Sequence, residues 1–191
     1  MANDILAARS AFTGWKPVNN PHLSLDVSET LTLASFAATK GNTDHLKSAI
    51  WDKYQVVLPD TPLRVEGNNI AFIWAGPDKW IAMAEREQAR DLETELKPVL
   101  AGLASVVDQS DARAIVRVSG PRARDVLAKG LPIDLHPRVF KPNGVAITHA
   151  NHIGVIFWQM DDRPTYAIAM FRGFADSFAR WLHEAAAEFV N

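Results

Sequence analysis

Apolar and polar positions alternate along this chain in a way that predicts short strands interrupted by a few helices. Leu23 to Ala38 contains LSLDV and TLTLASFAA, β-branched and partly alternating, which predicts at least one strand across Thr30 to Ala37. Leu46, Ile50 and Tyr54 then recur every four residues with Ala49 on the same face, so Thr43 to Tyr54 is expected to be an amphipathic helix capped by Asn42 or Thr43. LRVE, IAFIWA and KWIAMA are separated by Gly67-Asn68-Asn69 and Gly76-Pro77-Asp78, residues that supply or fix turn geometry. They predict a three-stranded meander. Leu92, Leu96 and Leu100 place a helix across Glu87 to Leu103, with a kink expected near Pro98, and ASVVD at Ala104 to Asp108 reads as a fifth strand.

The second half follows a similar order. Arg113 to Val118 is expected to be a strand. Pro121 to Lys129 then forms a helix, with Gly120 as a permissive cap and Gly130 as its stop. After a proline-bounded loop come VAITHA, GVIFWQM and TYAIAMF, with turns at Asn151-His152 and Asp161-Asp162-Arg163-Pro164. Phe174, Phe178, Trp181, Leu182, Ala185 and Phe189 give a last helix one continuous apolar stripe. Each half therefore reads as antiparallel strands covered by two helices on one side, an α+β layered arrangement without a sequence-level repeat. The expected organisation is an extended N-terminal arm at residues 1–22, a first α+β subdomain at 23–110 and a second at 111–191, packed as one compact unit. Phe12 and Trp15 give the arm a reason to dock.

Length and composition suit that arrangement. The 191 residues are 48% apolar and 22% charged, enough for a sizeable core and close to an average globular chain. There is no cysteine, which excludes disulfides, thiolate metal sites and a cysteine nucleophile, and fits a reducing compartment. MANDILAARSAFTGW lacks the apolar core of a signal peptide and is too polar for a membrane span, so a soluble, cytoplasmic protein is expected.

Charge changes the picture more. Arg113 to Lys141 holds seven of the twenty Lys and Arg residues against two acids, Asp125 and Asp134. A segment of net charge +5 thus sits in a chain whose remainder is −7, while surfaces normally mix the two signs. Strand periodicity puts Arg113 and Arg117 on one face around Ile115. Arg122 lies in the first turn of the predicted helix, where the macrodipole disfavours a cation. Two readings stay open: Asp125 neutralises Arg122 three residues away while the other arginines form salt bridges to the acidic remainder, or a set of guanidinium groups and a helix N-terminus awaits an anion or an acidic partner surface. The candidate partner- or anion-binding residues are Arg113, Arg117, Arg122, Arg124, His136 and Arg138. With a net charge of −2, the whole molecule does not suit nucleic acid.

Other chemistry has weaker support. G-x-G-x-x-G, the Walker pattern and G-x-S-x-G are all absent, so neither a nucleotide site nor a serine hydrolase is signalled, and no catalytic residue is assigned. His149 and His152 would point to opposite faces of a strand, and Asp134-x-His136 lies in a loop, so no metal site is assigned. Trp74 and Trp80 bracket Gly76-Pro77-Asp78. They are candidates for stacking on a ligand ring, against the alternative that they fill the sheet core.

The stretch V-x-x-S-G-P-R-A-R-D-V-L-A-K-G-x-P-x-D-L-H-P-R-x-F, Val116 to Phe140, resembles the γ subunit of heterotetrameric sarcosine oxidase. W-x-G-P-D-x-W at Trp74 to Trp80, SVVDQS, DDRPTY and FRGFADSFARWL support the resemblance, which covers most of the chain from about residue 70. It implies two ferredoxin-like subdomains related to the folate-binding domains of the glycine-cleavage T-protein. It also implies a non-catalytic assembly subunit of an enzyme that oxidatively demethylates sarcosine to glycine and hydrogen peroxide, passing the one-carbon unit to tetrahydrofolate. FAD, FMN, NAD, tetrahydrofolate and zinc are then expected in partner subunits and no cofactor in this chain. The expected partner is the α subunit, with β and δ in the same complex and no membrane. The alternative is a stand-alone protein binding folate or another carboxylate ligand, with Arg113 and Arg117 on the carboxylates. Self-association through the arm is a third expectation.

Overall fold

In the computed structural model, which describes residues 9–87 and 90–190, eleven strands form two antiparallel sheets. The first half supplies β1 (Val18–Asn19), β2 (Ser24–Ser28), β3 (Leu31–Ala38), α1 (Thr43–Tyr54), β4 (Arg64–Gly67), β5 (Ile70–Gly76), β6 (Lys79–Glu85), α2 (Leu92–Val99) and β7 (Ala104–Asp108). The second supplies β8 (Arg113–Ser119), α3 (Ala123–Ala128), β9 (Val145–Ala150), β10 (Ile153–Gln159), β11 (Thr165–Phe171) and α4 (Ala175–Ala186). One sheet has the order β4-β5-β6-β3-β7 and the other β1-β2-β8-β11-β10-β9.

The two orders are one plan used twice. In the first unit β3 and β6 are neighbours, β7 flanks β3, and the β5–β6 hairpin lies on the other side, the arrangement of a ferredoxin-like unit with β4 added at its edge. In the second unit β8 takes the place of β3, β11 that of β6, and β10 and β9 those of β5 and β4. The strand corresponding to β7 is β2, which pairs antiparallel with β8 from Ser24 opposite Ser119 to Ser28 opposite Ile115. Residues 24–28 thus complete the sheet of the second unit, so sheet membership does not follow the division at residue 110.

Three apolar layers hold these sheets. Phe36, Phe72, Trp80 and Ala82 of the first sheet pack against Leu46 and Ile50 of α1 and Leu92 and Leu96 of α2. Val116, Phe157, Tyr166 and Ile168 of the second pack against Val126 and Leu127 of α3 and Phe178 and Leu182 of α4. Leu33, Ile73, Ile81, Ile115, Ile156 and Trp158 meet between the sheets. Each sheet is therefore covered by helices on one side and by the other sheet on the opposite side. This explains why GVIFWQM and TYAIAMF are continuous apolar runs rather than alternating ones. Along one border the layers are tied by backbone: Leu63 bridges Gly144, and Arg64 N–H donates to the Asn143 carbonyl at 2.8 Å.

The arm docks where it is described. Phe12 is buried among the residues under α4, Trp15 packs against the same cluster, and Thr13 N–H donates to Asp176 Oδ1 at 2.7 Å. Residues 1–8 lie outside the described residues.

Helix ends differ from the expected ones for identifiable reasons. Asp91 caps α2 by accepting the N–H groups of Glu93 and Thr94, so the helix begins at Leu92 and not at Glu87; residues 88 and 89 of the expected span lie outside the described ones. Pro98 falls in its last turn, where its missing donor removes a single bond. In α3, Gly120 is not the cap: with φ of +107° its carbonyl accepts the Ala123 N–H in a tight turn, and Arg122 caps a helix of six residues. The stripe on α4 ends short, because Phe174 is 51% exposed in a 3-10 turn before the helix.

Candidate docking and binding sites

The basic stretch spans a central strand, a short helix and a loop, and its side chains go in different directions. On β8, Ala114, Val116 and Val118 point under the helices, whereas Ile115 sits between the sheets, which puts Arg113 and Arg117 on the inter-sheet face as alternation requires. They do not converge. Arg117 is exposed and lines a cavity of about 720 Å³ at one end of the inter-sheet layer. Arg113 lines a cleft of about 510 Å³ at the other end, with its guanidinium 4.6 Å from the Phe171 ring centre. Burial lowers its pKa from the ordinary arginine value, and its Nε has no partner among the described residues.

The remaining candidates divide between local pairing and exposure. Arg122 meets Asp125 at 3.0 Å, the internal salt bridge of the plainer reading, and lies over Phe189. Its N–H donates to the His22 carbonyl, and a helix as short as α3 offers no N-terminal anion site. Arg124 lies over the Tyr166 ring, 5.9 Å from its centre. His136 is exposed and shapes its own loop: its N–H donates to Asp134 Oδ1 at 2.8 Å, and its Nδ1 accepts from Arg138 N–H at 3.2 Å. Arg138 is exposed, and neither it nor Arg117 forms an ion pair among the described residues.

The tryptophans separate as well. Trp74 and Trp80 face each other across β5 and β6, but Trp80 is 1% exposed, stacks on Phe36 at 5.7 Å and donates its indole N–H to the Pro59 carbonyl at 2.8 Å. Its ring belongs to the core and has no face left for a ligand. Trp74 is half-buried.

Two features were missed in the sequence. The larger cavity is walled by Arg64 and Trp158, both buried, whose Nε and Nε1 atoms lack partners among the described residues. No spacing rule connects positions so far apart in the chain. The smaller cleft exists because inner-face positions shrink toward that end of the layer, from Leu33, Ile73 and Ile156 to Ser35, Ala75 and Gly154. That gradient is visible once the strands and their inner faces are assigned. No group of three or more His, Cys, Asp or Glu able to hold a metal occurs among the described residues.

Two ferredoxin-like units packed sheet against sheet define the class of the protein. The same fold occurs in the glycine cleavage system aminomethyltransferase T from Bartonella henselae, with a TM-score of 0.64 at 16% identity over 85% of this chain and 45% of that one. Within this class the sequence is specific: residues 39–188 match the sarcosine oxidase, gamma subunit family, and the chain belongs to that family.

The sarcosine oxidase subunit gamma of an Arthrobacter species is 34% identical over 122 residues, 63% of this chain and 59% of that one. That of Corynebacterium sp. (strain U-96) is 31% identical over 160 residues, 83% and 76% of the two chains. The match thus spans about three fifths of the Arthrobacter relative's length. A chain of the heterotetrameric sarcosine oxidase from Corynebacterium sp. U-96, solved with pyrrole 2-carboxylate, superposes with a TM-score of 0.78 at 28% identity, over 92% of this chain and 89% of that one.

Proposed function

We propose that this chain is a non-catalytic assembly subunit of a heterotetrameric sarcosine oxidase, an enzyme that oxidatively demethylates sarcosine. The observation that carries the reading is the superposition on a chain of such a heterotetramer over nine tenths of both lengths, together with family membership. The partner is the α subunit, with β and δ in the same assembly, and the flavins, NAD, tetrahydrofolate and zinc are held by those subunits. The chain works in the cytoplasm; no described helix is long and apolar enough to cross a membrane. Arg117 and Arg138 are exposed cations without acidic partners among the described residues, which suits contact with carboxylates of another subunit.

Co-expression with the α, β and δ subunits tests the reading. The chain is expected to co-purify in equal amount, and leaving it out is expected to reduce the yield of assembled, sarcosine-oxidising complex. An unaltered complex with full turnover in its absence would remove the proposal.

A further inference from the structure

The small inner-face residues at one end of the inter-sheet layer leave an open cleft of about 510 Å³. Three large apolar side chains stand around it half-exposed: Val107 at 49%, Ile147 at 52% and Phe171 at 52%. They come from three strands of two sheets, so they form one patch built by the fold and not by a single apolar run. Val107 and Ile147 lie on β7 and β9, each the edge strand of its sheet. Exposed apolar residues scattered singly need no explanation, but a convergent set around a concavity does.

The charge around the cleft has one sign. Lys79, Arg113 and His149 line it, and no Asp or Glu does. Arg113 forms no ion pair among the described residues; Glu29 and Asp111 line an adjoining cavity of about 320 Å³ that Arg113 also borders, without pairing with it. In a chain whose net charge is −2, an apolar concavity whose ionisable lining is Lys79, Arg113 and His149 without a carboxylate is a local departure from the whole. Its complement has apolar side chains to fill the gap and carboxylates to meet the rim.

We propose that this cleft is a docking site for a segment of another subunit that inserts apolar side chains between the sheets and sets Asp or Glu carboxylates against Arg113 and Lys79. The inference rests on the assembly reading and deepens it by naming the surface. It also moves the weight of docking away from the α3 helix and its following loop: of the basic stretch, Arg113 alone belongs to this cleft.

Gly154 offers a clean test. It lines the cleft, its φ lies outside the left-handed region that side chains avoid, and a Cβ built on it meets nothing within 4 Å, so Gly154→Leu has open space in which to start filling the concavity. The purified chain is titrated against the complex of the other subunits prepared without it. Gly154→Leu, Ile147→Asp and Lys79→Glu are each compared with wild type and with Val57→Asp, a change at an exposed apolar residue outside the cleft and away from the basic stretch. Thermal melts identify any variant that fails to fold, and Gly154→Leu and Lys79→Glu keep the test valid if Ile147→Asp does.

The expected result is association at least about tenfold weaker for the cleft variants, with Val57→Asp unchanged. Wild-type affinity in the folded cleft variants would overturn the docking site while leaving the assembly role intact. No binding by wild type would overturn both. Self-association of the isolated chain that Gly154→Leu abolishes would show that a second copy fills the cleft, and would also overturn the proposal.

Discussion

Glu95 shows how much one side chain on α2 holds together. It accepts from Arg90 Nε at 2.9 Å and from the Tyr54 hydroxyl at 2.9 Å, which ties α1, α2 and the segment before α2. The Arg90 hydrogen bond, with that from Tyr54 behind it, lowers its pKa below the ordinary glutamate value, while burial and the same contact raise that of Tyr54. Because the folded-state pKa is depressed, ionised Glu95 contributes stability above the unfolded value of about 4.3 and loses it as pH falls through the folded one. Melting temperature is expected to fall on acidification below about pH 5, and Glu95→Gln to make that fall shallower; an unchanged slope would contradict the assignment. Gly120 is a second such residue. A Cβ there would lie 2.6 Å from the His22 carbonyl oxygen, at φ of +107°, so Gly120→Ala is expected to cost about 1–3 kcal/mol in chemical denaturation. The sequence suggests Gly120 as a permissive helix cap and does not reveal His22, ninety-eight positions earlier, as the contact that excludes a side chain.

At the scale of elements, periodicity identified α1 to the residue, and turn chemistry located β5, β6, β10 and β11 within a residue or two, because their local signals agree with their packing. The ends of α2, α3 and α4 were less legible, since a cap or a 3-10 turn decides them and not the apolar period. α4 makes this measurable. Phe178 is fully buried and Phe174 is half-exposed, although both fit one stripe in the sequence. Phe178→Ala is expected to cost about 3–5 kcal/mol and Phe174→Ser to stay within about 0.5 kcal/mol, both read from denaturant midpoints. Equal losses would mean that the stripe packs along its whole length. β2 was legible as a strand signal but not in its pairing, because its partner β8 lies nearly ninety residues away, and alternation says which face is apolar without saying which sheet receives it.

For the whole molecule, the layered α+β class was readable from element order, and the family from the block at Val116 to Phe140. The candidate site was readable only in part. Charge counting found the basic stretch, yet the fold sends Arg113 and Arg117 to opposite ends of the inter-sheet layer and commits Trp80 to the core. Composition records which residues are present; convergence depends on strand pairing between distant segments. The central claim is that this chain is an integral subunit of a sarcosine oxidase heterotetramer, and native mass spectrometry of the co-expressed α, β, γ and δ chains tests it most directly. The account predicts one dominant species containing a single copy of this 21.1 kDa chain with one of each partner. A spectrum in which this chain appears only as a free 21.1 kDa species, beside a complex of the other three, would contradict it.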